Sequence, residues 1–231
     1  MNSDKIKDFY SDLHFPGRYT QQDLKFYETE GVNINVYLRE INRSISDGQE
    51  VLDVGCGTGL VSNTFANLYP DSHFTGIDFS DSIDYAKKTA EENGIKNTKW
   101  IKEDFLKVKL DKKYDVVICC GVLHHIPQYE KALEKLKQSL KPGGTLLIAL
   151  YNPLGKILKH VKKINYNSPT LFEDQENNPF ELSFTKRAVL NLCSDLTFHR
   201  VEPSWSNHFV DFLALFNSSN GGLAIYTFTN D

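Results

Sequence analysis

Apolar residues in the first fifty positions recur at helical spacing. The segment INVYLREINRSI (34–45) places Val36, Tyr37 and Ile41 on one face, and Thr20 with Asp23 forms a helix-start signal before it. We therefore expect residues 1–49 to form a helical cover, rich in aromatic side chains, that precedes the main domain. A cover in this position is expected to act as a lid over a binding crevice.

From residue 50 the pattern changes to short apolar runs that alternate with helical segments. The helical segments are LVSNTFANLY (60–69), a segment that Ser80 caps and Gly94 ends, and YEKALEKLKQSL (129–140). Apolar runs without polar alternation are typical of parallel strands covered on both faces. The predicted strands are EVLDV (50–54), HFTGID (73–78), TKWIKE (98–103), the continuous apolar run YDVVICC (114–120), and TLLIALY (145–151). This alternation predicts an α/β fold with a doubly wound, mostly parallel sheet.

The chain is less regular after Tyr151. We predict a turn at Pro142–Gly144, a polar loop at 165–183, a helix from Thr185, and strands at 197–202 and 222–228. Residues 50–231 are thus expected to form one domain with an insertion at about 152–184. Within the insertion, 156–164 has an apolar stripe flanked by four lysines. This pattern favours a solvated helix face; the alternatives are a basic cover that recruits an acidic or amphiphilic acceptor and, less favoured, a weak contact with an anionic membrane surface.

Composition narrows the range of partners. The 231 residues carry a net charge of −4, with a sequence pI near 6.0. Binding along a nucleic-acid backbone needs clustered positive charge, so a nucleic-acid partner is disfavoured. The four cysteines show neither metal-ligand spacing nor a disulfide pattern, and no apolar run has the length of a membrane span. We expect a cytoplasmic protein without a bound metal.

Three glycines follow the first strand in VLDVGCGTGL. Gly55, Gly57 and Gly59 allow a tight turn whose main-chain amides face a ligand at a helix start. The dinucleotide pattern GxGxxG needs a different spacing, and Asp53 beside the turn would repel a pyrophosphate but attract an ammonium group. The turn therefore favours an amino-acid-bearing nucleoside over NAD. Cys56 lies between the glycines, where the turn requires only a small side chain.

Carboxylates follow the next two strands. Asp78 ends the second strand, where it would accept hydrogen bonds from both hydroxyls of a ribose. Asp104 and Phe105 follow the third strand, where the carboxylate and the next amide would contact an adenine ring. Because the carboxyl ends of parallel strands meet at one edge, we expect these groups and Asp53 to surround one crevice.

Over roughly residues 50–151 the sequence carries the motifs VLDVGCGTG, GIDFS, EDF, YDVVICCGVLHHI and LKPGGTLLIALY. With these motifs it resembles the class I S-adenosylmethionine-dependent methyltransferases of small-molecule type, including the quinone-biosynthesis-like group. The resemblance implies a seven-stranded, Rossmann-like sheet whose last strand is antiparallel and lies next to the sixth. It implies S-adenosylmethionine as cofactor, with Cys120 and Gly121 near its methionine end. The other implied cofactor-binding residues are Asp53, Gly55, Cys56, Gly57, Gly59, Asp78, Phe79, Asp104 and Phe105.

Two further pairs of residues are candidates for the site. His124 and His125 follow the fourth strand, where a histidine would take a proton from an acceptor, and His124 is the first choice. A packing or cofactor contact is the alternative for both. Arg18 and Tyr19, after a Pro-Gly turn, would reach the cofactor carboxylate or the acceptor.

These features predict methyl transfer from S-adenosylmethionine to an oxygen, nitrogen or carbon of a small-molecule acceptor. The fourth strand lacks the NPPY or DPPY sequence of amine methylation on adenine or glutamine. Two other hypotheses stay open at this point: a cofactor-binding regulatory protein without turnover, and a less favoured NAD-dependent reductase. The sequence leaves open the acceptor, the use of a general base and the oligomeric state.

Overall fold

The structure is a computed structural model that describes residues 17, 19–152, 170–174, 178–202 and 223–231. Arg18 and the lysine stripe at 156–164 lie outside the described residues. No helix within the described ranges has the length and apolar character needed to cross a bilayer.

Within the described part of the N-terminal segment, helices run from Gln21 to Ser44, as predicted. Helix α1 (Gln21–Phe26) starts with a capping box, in which the side chains of Thr20 and Asp23 each accept a hydrogen bond from the other's backbone N–H. A π-helical turn (Tyr27–Gly31) and the short α2 (Val32–Ile34) lead to α3 (Val36–Ser44). Asn35 caps α3 by accepting hydrogen bonds from two backbone N–H groups.

Strands and helices then alternate along the chain, in close agreement with the predicted runs. The strands of the first half are β1 (Glu50–Val54), β2 (His73–Asp78), β3 (Thr98–Lys102), β4 (Tyr114–Cys120) and β5 (Leu140–Tyr151). The helices between them are α4 (Leu60–Leu68), α5 (Ser82–Glu92) and α6 (Tyr129–Gln138). The remaining elements are β6 (Thr170–Asp174), β7 (Asn178–Ser183), α7 (Lys186–Leu192), β8 (Thr197–Glu202) and β9 (Leu223–Thr229).

Seven strands form one sheet in the order β3-β2-β1-β4-β5-β9-β8. The pairs among β1 to β5 are parallel, whereas β9 is antiparallel to both β5 and β8. The Rossmann-like, doubly wound sheet with its last strand inserted beside the sixth is therefore confirmed.

Both faces of the sheet are covered, which explains the continuous apolar runs. Leu52 and Val54 of β1 face a cluster that includes α6 and α7, while the preceding Val51 faces a cluster that includes α3, α4 and Tyr19 of the N-terminal segment. The N-terminal residues from Tyr19 to Ile45 thus contribute to the packing of one sheet face.

Three local predictions were wrong. Pro142–Gly144 do not form a turn between elements; they bulge within β5, which pairs Leu140 with Tyr114 and resumes at Thr145 opposite Val116. The predicted loop at 165–183 contains the antiparallel hairpin of β6 and β7. Ser80 does not cap α5, because its hydroxyl donates to Asp78 and the helix begins at Ser82.

Candidate functional site

A pocket lies at the edge of the sheet where β1, β2, β3 and β4 end. It holds about 1020 Å³, including the space open to solvent at its mouth, which is the size of a small-molecule site. The predicted residues that form its wall are Gly55, Gly57, Asp78, Phe79, Asp104, Phe105, Cys120 and Gly121. The carboxyl ends of the parallel strands therefore gather these residues around one space, as the topology requires.

The glycine turn brings the main chain to the pocket wall. Gly55, Gly57 and Gly59 all have left-handed backbone conformations, with φ of 73°, 53° and 76°. A Cβ on Gly55 would lie 2.2 Å from Cγ2 of Val122, so the turn also needs glycine for its contact with the loop after β4. Gly59 has a different environment, because a Cβ there would lie 2.5 Å from the Cβ of Ala86 on α5. Gly59 thus serves the packing of α4 against α5 rather than the pocket wall.

Asp78 accepts three hydrogen bonds, one of which comes from the glycine turn. Its Oδ2 accepts from the backbone N–H of Gly57 at 2.8 Å, and its Oδ1 accepts from the N–H and hydroxyl of Ser80 at 2.8 and 2.7 Å. A carboxylate offers about four acceptor positions, so these bonds leave one for a ligand. Asp78 therefore shapes the turn as well as facing the pocket.

Asp104 and Phe105 begin a turn after β3 that a lysine holds in place. Oδ1 of Asp104 accepts from the backbone N–H of Leu106 at 2.9 Å. Nζ of Lys135, on α6, donates to the carbonyls of Phe105 and Val108, both at 2.5 Å, and lies 4.9 Å from the Phe105 ring centroid. Sequence reasoning missed Lys135, because a lysine on an amphipathic helix resembles any other solvated residue.

Asp53 and Cys56 lie beneath the pocket rather than in its wall. Asp53 is 4% exposed and accepts a hydrogen bond from the Ser62 hydroxyl at 2.8 Å. Burial raises the pKa of Asp53 to about 7, against the opposite effect of the Ser62 hydrogen bond. Burial likewise raises the pKa of the Cys56 thiol well above its ordinary value, so the thiol stays protonated.

Cys120 and Gly121 form the part of the wall that follows β4. Burial raises the pKa of the Cys120 thiol well above its ordinary value, and the nearby Asp53 adds to this. A protonated thiol is a poor nucleophile, so the Cys120 side chain contributes to the wall by packing. Gly121 has φ of 78°, and a Cβ there would meet nothing within 4 Å. The glycine thus meets a backbone requirement and leaves the space beside it open.

The two histidines occupy different positions. His124 is fully buried and does not form part of the pocket wall; its ring centroid lies 4.1 Å from those of His125 and Tyr151. His125 belongs to the wall, and its Nδ1 lies 3.1 Å from the carbonyl oxygen of Phe180 on β7. The first choice from the sequence, His124, is therefore placed in the interior, and its neighbour is placed at the pocket.

Tyr19 does not reach the pocket wall either. It is 7% exposed, and its hydroxyl donates to the carbonyl of Thr58 in the glycine turn at 3.1 Å. The wall also includes residues that sequence reasoning did not select, namely Ser82, Glu103, Leu106, Val122, Ile126, Pro127 and Gln128. The sequence GVLHHIPQ directly after β4 was the available signal for several of them.

Comparisons with known proteins agree with this geometry. The family model described as "Methyltransferase domain" matches residues 45–198. A ubiquinone biosynthesis O-methyltransferase of Rickettsia bellii is 29% identical over 184 residues, which cover 71% of this chain and 75% of that protein. An (S)-coclaurine N-methyltransferase of Papaver somniferum is 29% identical over 133 residues, but these cover 57% of this chain and only 37% of that protein.

A solved structure extends the likeness over the whole chain. Magnesium protoporphyrin IX methyltransferase from Synechocystis PCC 6803, with bound SAH, has a TM-score of 0.67 and covers 100% of both chains at 17% identity. At this identity the likeness shows the fold alone. The family match over two thirds of the chain, the sheet order and the glycine-carboxylate pocket lead to one conclusion. The chain belongs to the class I S-adenosylmethionine-dependent methyltransferases.

Proposed function

We propose that this protein transfers the methyl group of S-adenosylmethionine to an oxygen, nitrogen or carbon atom of a small-molecule acceptor. The observation that carries the proposal is that a glycine turn and two strand-end carboxylates face the loop after β4 around one pocket. The relatives support it, because their names describe O- and N-methyltransferases. The names also differ in acceptor, so the acceptor has to be determined for this chain.

The pocket residues fit this cofactor. Gly55 and Gly57 present main chain without a side chain, Asp78 retains one acceptor position for a ribose hydroxyl, and Asp104 with Phe105 offers a polar and an apolar contact for adenine. Asp53 lies beneath the turn, where its charge would favour an ammonium group. When bound, the cofactor supplies a methyl group made electrophilic by its sulfonium. The protein's task is then to hold the acceptor in line with the methyl group and to exclude water.

We infer that His125, rather than His124, accepts the proton of the acceptor. The contact between its Nδ1 and the Phe180 carbonyl supports this, because a carbonyl only accepts and so the proton belongs on Nδ1. The nitrogen that bears the lone pair in the neutral ring is then Nε2. Phe180 fixes the tautomer in the way that a buried acceptor orients a catalytic histidine. Val122, Ile126 and Pro127 beside it favour an acceptor with an apolar body.

The experiment is methyl transfer from labelled S-adenosylmethionine to a metabolite extract, followed by identification of the labelled product. Calorimetric titration with S-adenosylhomocysteine and with NAD tests the cofactor separately. Tight binding of S-adenosylhomocysteine without transfer to any acceptor would favour the non-catalytic alternative. Binding of NAD in its place would refute the proposal.

The histidine is tested by His125→Gln, with the exposed His199→Gln as matched control. The wild-type rate should rise with pH as the imidazole becomes neutral, and His125→Gln should lower kcat by about 10²-fold and flatten that rise. His199→Gln should behave as wild type. An unchanged pH profile in His125→Gln would remove the proton-accepting role.

We further propose a cytoplasmic location and an acceptor that is not a nucleic acid. The four free thiols and the net charge of −4 support these two points. The proposal that residues 1–49 act as a lid is tested by hydrogen exchange. Protection of this segment should increase when S-adenosylhomocysteine is added, and maximal protection in the free protein would contradict it.

A further inference from the structure

Tyr19 occupies a buried position between the N-terminal segment and the glycine turn. Its hydroxyl donates to the carbonyl of Thr58 at 3.1 Å and accepts from the side-chain amide of Asn63, on α4, at 2.8 Å. The Asn63 amide also donates to the carbonyl of Ala86 on α5 at 3.1 Å. Burial raises the pKa of Tyr19 well above its ordinary value, so the hydroxyl keeps the proton that it donates to the turn.

A second tyrosine fixes the backbone of Tyr19. The hydroxyl of Tyr85, on α5, donates to the Tyr19 carbonyl at 2.6 Å and accepts from the Tyr19 N–H at 3.2 Å. The two rings pack edge to face with centroids 5.8 Å apart. Tyr85 therefore holds the backbone and ring of Tyr19 without using the Tyr19 hydroxyl. That hydroxyl donates its hydrogen bond to the turn instead.

The glycine turn is held by hydrogen bonds from several directions. The carbonyl of Ile77 accepts from the N–H groups of Gly55 and Cys56, and Asp78 accepts from Gly57. These bonds come from the pocket side, through β2. The bond from Tyr19 to Thr58 approaches from the N-terminal segment, so it joins that segment to the part of the turn that follows Gly57.

We propose that Tyr19 is a positioning residue for the cofactor turn, which it holds through the Thr58 carbonyl without touching the cofactor. The inference rests on the proposed function, because it assigns a role within the same site. It replaces the direct cofactor contact expected from the sequence. Docking of the N-terminal segment and ordering of the turn are then coupled, so each stabilises the other.

The test is Tyr19→Phe, which keeps the ring and its Tyr85 contacts but removes the hydrogen bond to the turn together with the one accepted from Asn63, whose amide keeps its bond to the Ala86 carbonyl. Loss of this bond should weaken S-adenosylhomocysteine binding about fivefold and raise the KM for S-adenosylmethionine by a similar factor. The kcat at saturating cofactor should stay unchanged, because the loaded turn is the same. Amide exchange of residues 55–60 in the cofactor-free protein should become faster.

Tyr27→Phe is the matched control. Tyr27 lies in the same N-terminal segment, and its hydroxyl makes no hydrogen bond with a described residue. An equal loss of affinity in both variants would indicate general loosening of the segment and overturn the inference. A lower kcat with unchanged KM would also overturn it, since Tyr19 would then act on the reaction itself. If the wild-type protein does not bind S-adenosylhomocysteine, the result contradicts the proposed function and not only the role of Tyr19.

Discussion

Replacing Gly55 with alanine separates two reasons for glycine at this position. One reason is internal, because the added Cβ would lie 2.2 Å from Cγ2 and 2.8 Å from Cγ1 of Val122. The other is the ligand, since Gly55 forms part of the pocket wall. The two reasons make different predictions for a second substitution at Val122.

The magnitude follows from the contact and the backbone. Overpacking of this severity costs about 1–3 kcal/mol, and the left-handed backbone at φ 73° costs a non-glycine residue about 1–2 kcal/mol more. Gly55→Ala should therefore lower the free energy of unfolding by about 2–5 kcal/mol without any cofactor present. Val122→Ala alone should cost about 1 kcal/mol, because Val122 is only half-buried.

The double variant Gly55→Ala/Val122→Ala removes both methyl groups that the new Cβ would strike. We expect it to recover about 1–3 kcal/mol relative to the sum of the single variants, with the backbone cost remaining. Urea unfolding of the four proteins, without cofactor, measures this coupling. Additive single effects would refute the internal clash and leave the left-handed backbone and the ligand as the reasons for glycine.

Three other substitutions test the rest of the pocket. Asp78→Ala should weaken S-adenosylhomocysteine binding at least tenfold by calorimetry and also lower the melting temperature, because the hydrogen bonds that Asp78 accepts from Gly57 and Ser80 are lost with it; unchanged affinity would remove Asp78 from the site. Lys135→Met should weaken cofactor binding several-fold, because it removes the hydrogen bonds to the turn after β3. Lys137→Met, on the same helix, loses hydrogen bonds to Leu192 and Asp195 and should lower stability without changing cofactor affinity. Equal affinities in the two variants would contradict the role of Lys135. Asp53 has a pKa raised to about 7 in the folded protein, above its ordinary value, so its contribution to stability is present below pH 4 and is lost as the pH rises to about 7. The difference in unfolding free energy between wild type and Asp53→Asn, measured by urea titration, should therefore change between pH 4 and about 7. A difference that stays constant over this range would contradict the raised pKa of Asp53.

The sheet was predictable because its central strands are buried on both faces. Their apolar residues could be recognised from the sequence without knowing the neighbouring strands, and the glycine turn indicated the order of strand, loop and helix. The hairpin of β6 and β7 was missed because its segment is polar in composition. Leu182 and Phe184 are nevertheless buried in the cluster beneath α6 and α7, at alternate positions that indicate a strand.

The sequence predicted only those site residues that directly follow a strand. Asp78, Asp104 and Gly55 were selected from their positions after strands, and they do lie in one wall. Which of two adjacent histidines meets the pocket depends on the 3-10 turn Leu123–His125, whose side chains point in different directions within three residues. The role of Lys135 depends on the distance between α6 and the turn after β3, which no local pattern records.

The position of β9 has a consequence for the synthesis of the protein. β9 pairs with β5 on one side and β8 on the other, yet both of its partners precede it in the chain. Until β9 has been translated, β5 presents an open edge with the apolar residues 146–150, and β8 has no place in the sheet. An open apolar edge is a template for pairing with other chains. Substitutions in β9 should therefore lower the yield of soluble protein in cells more than their effect on the stability of the folded protein would suggest.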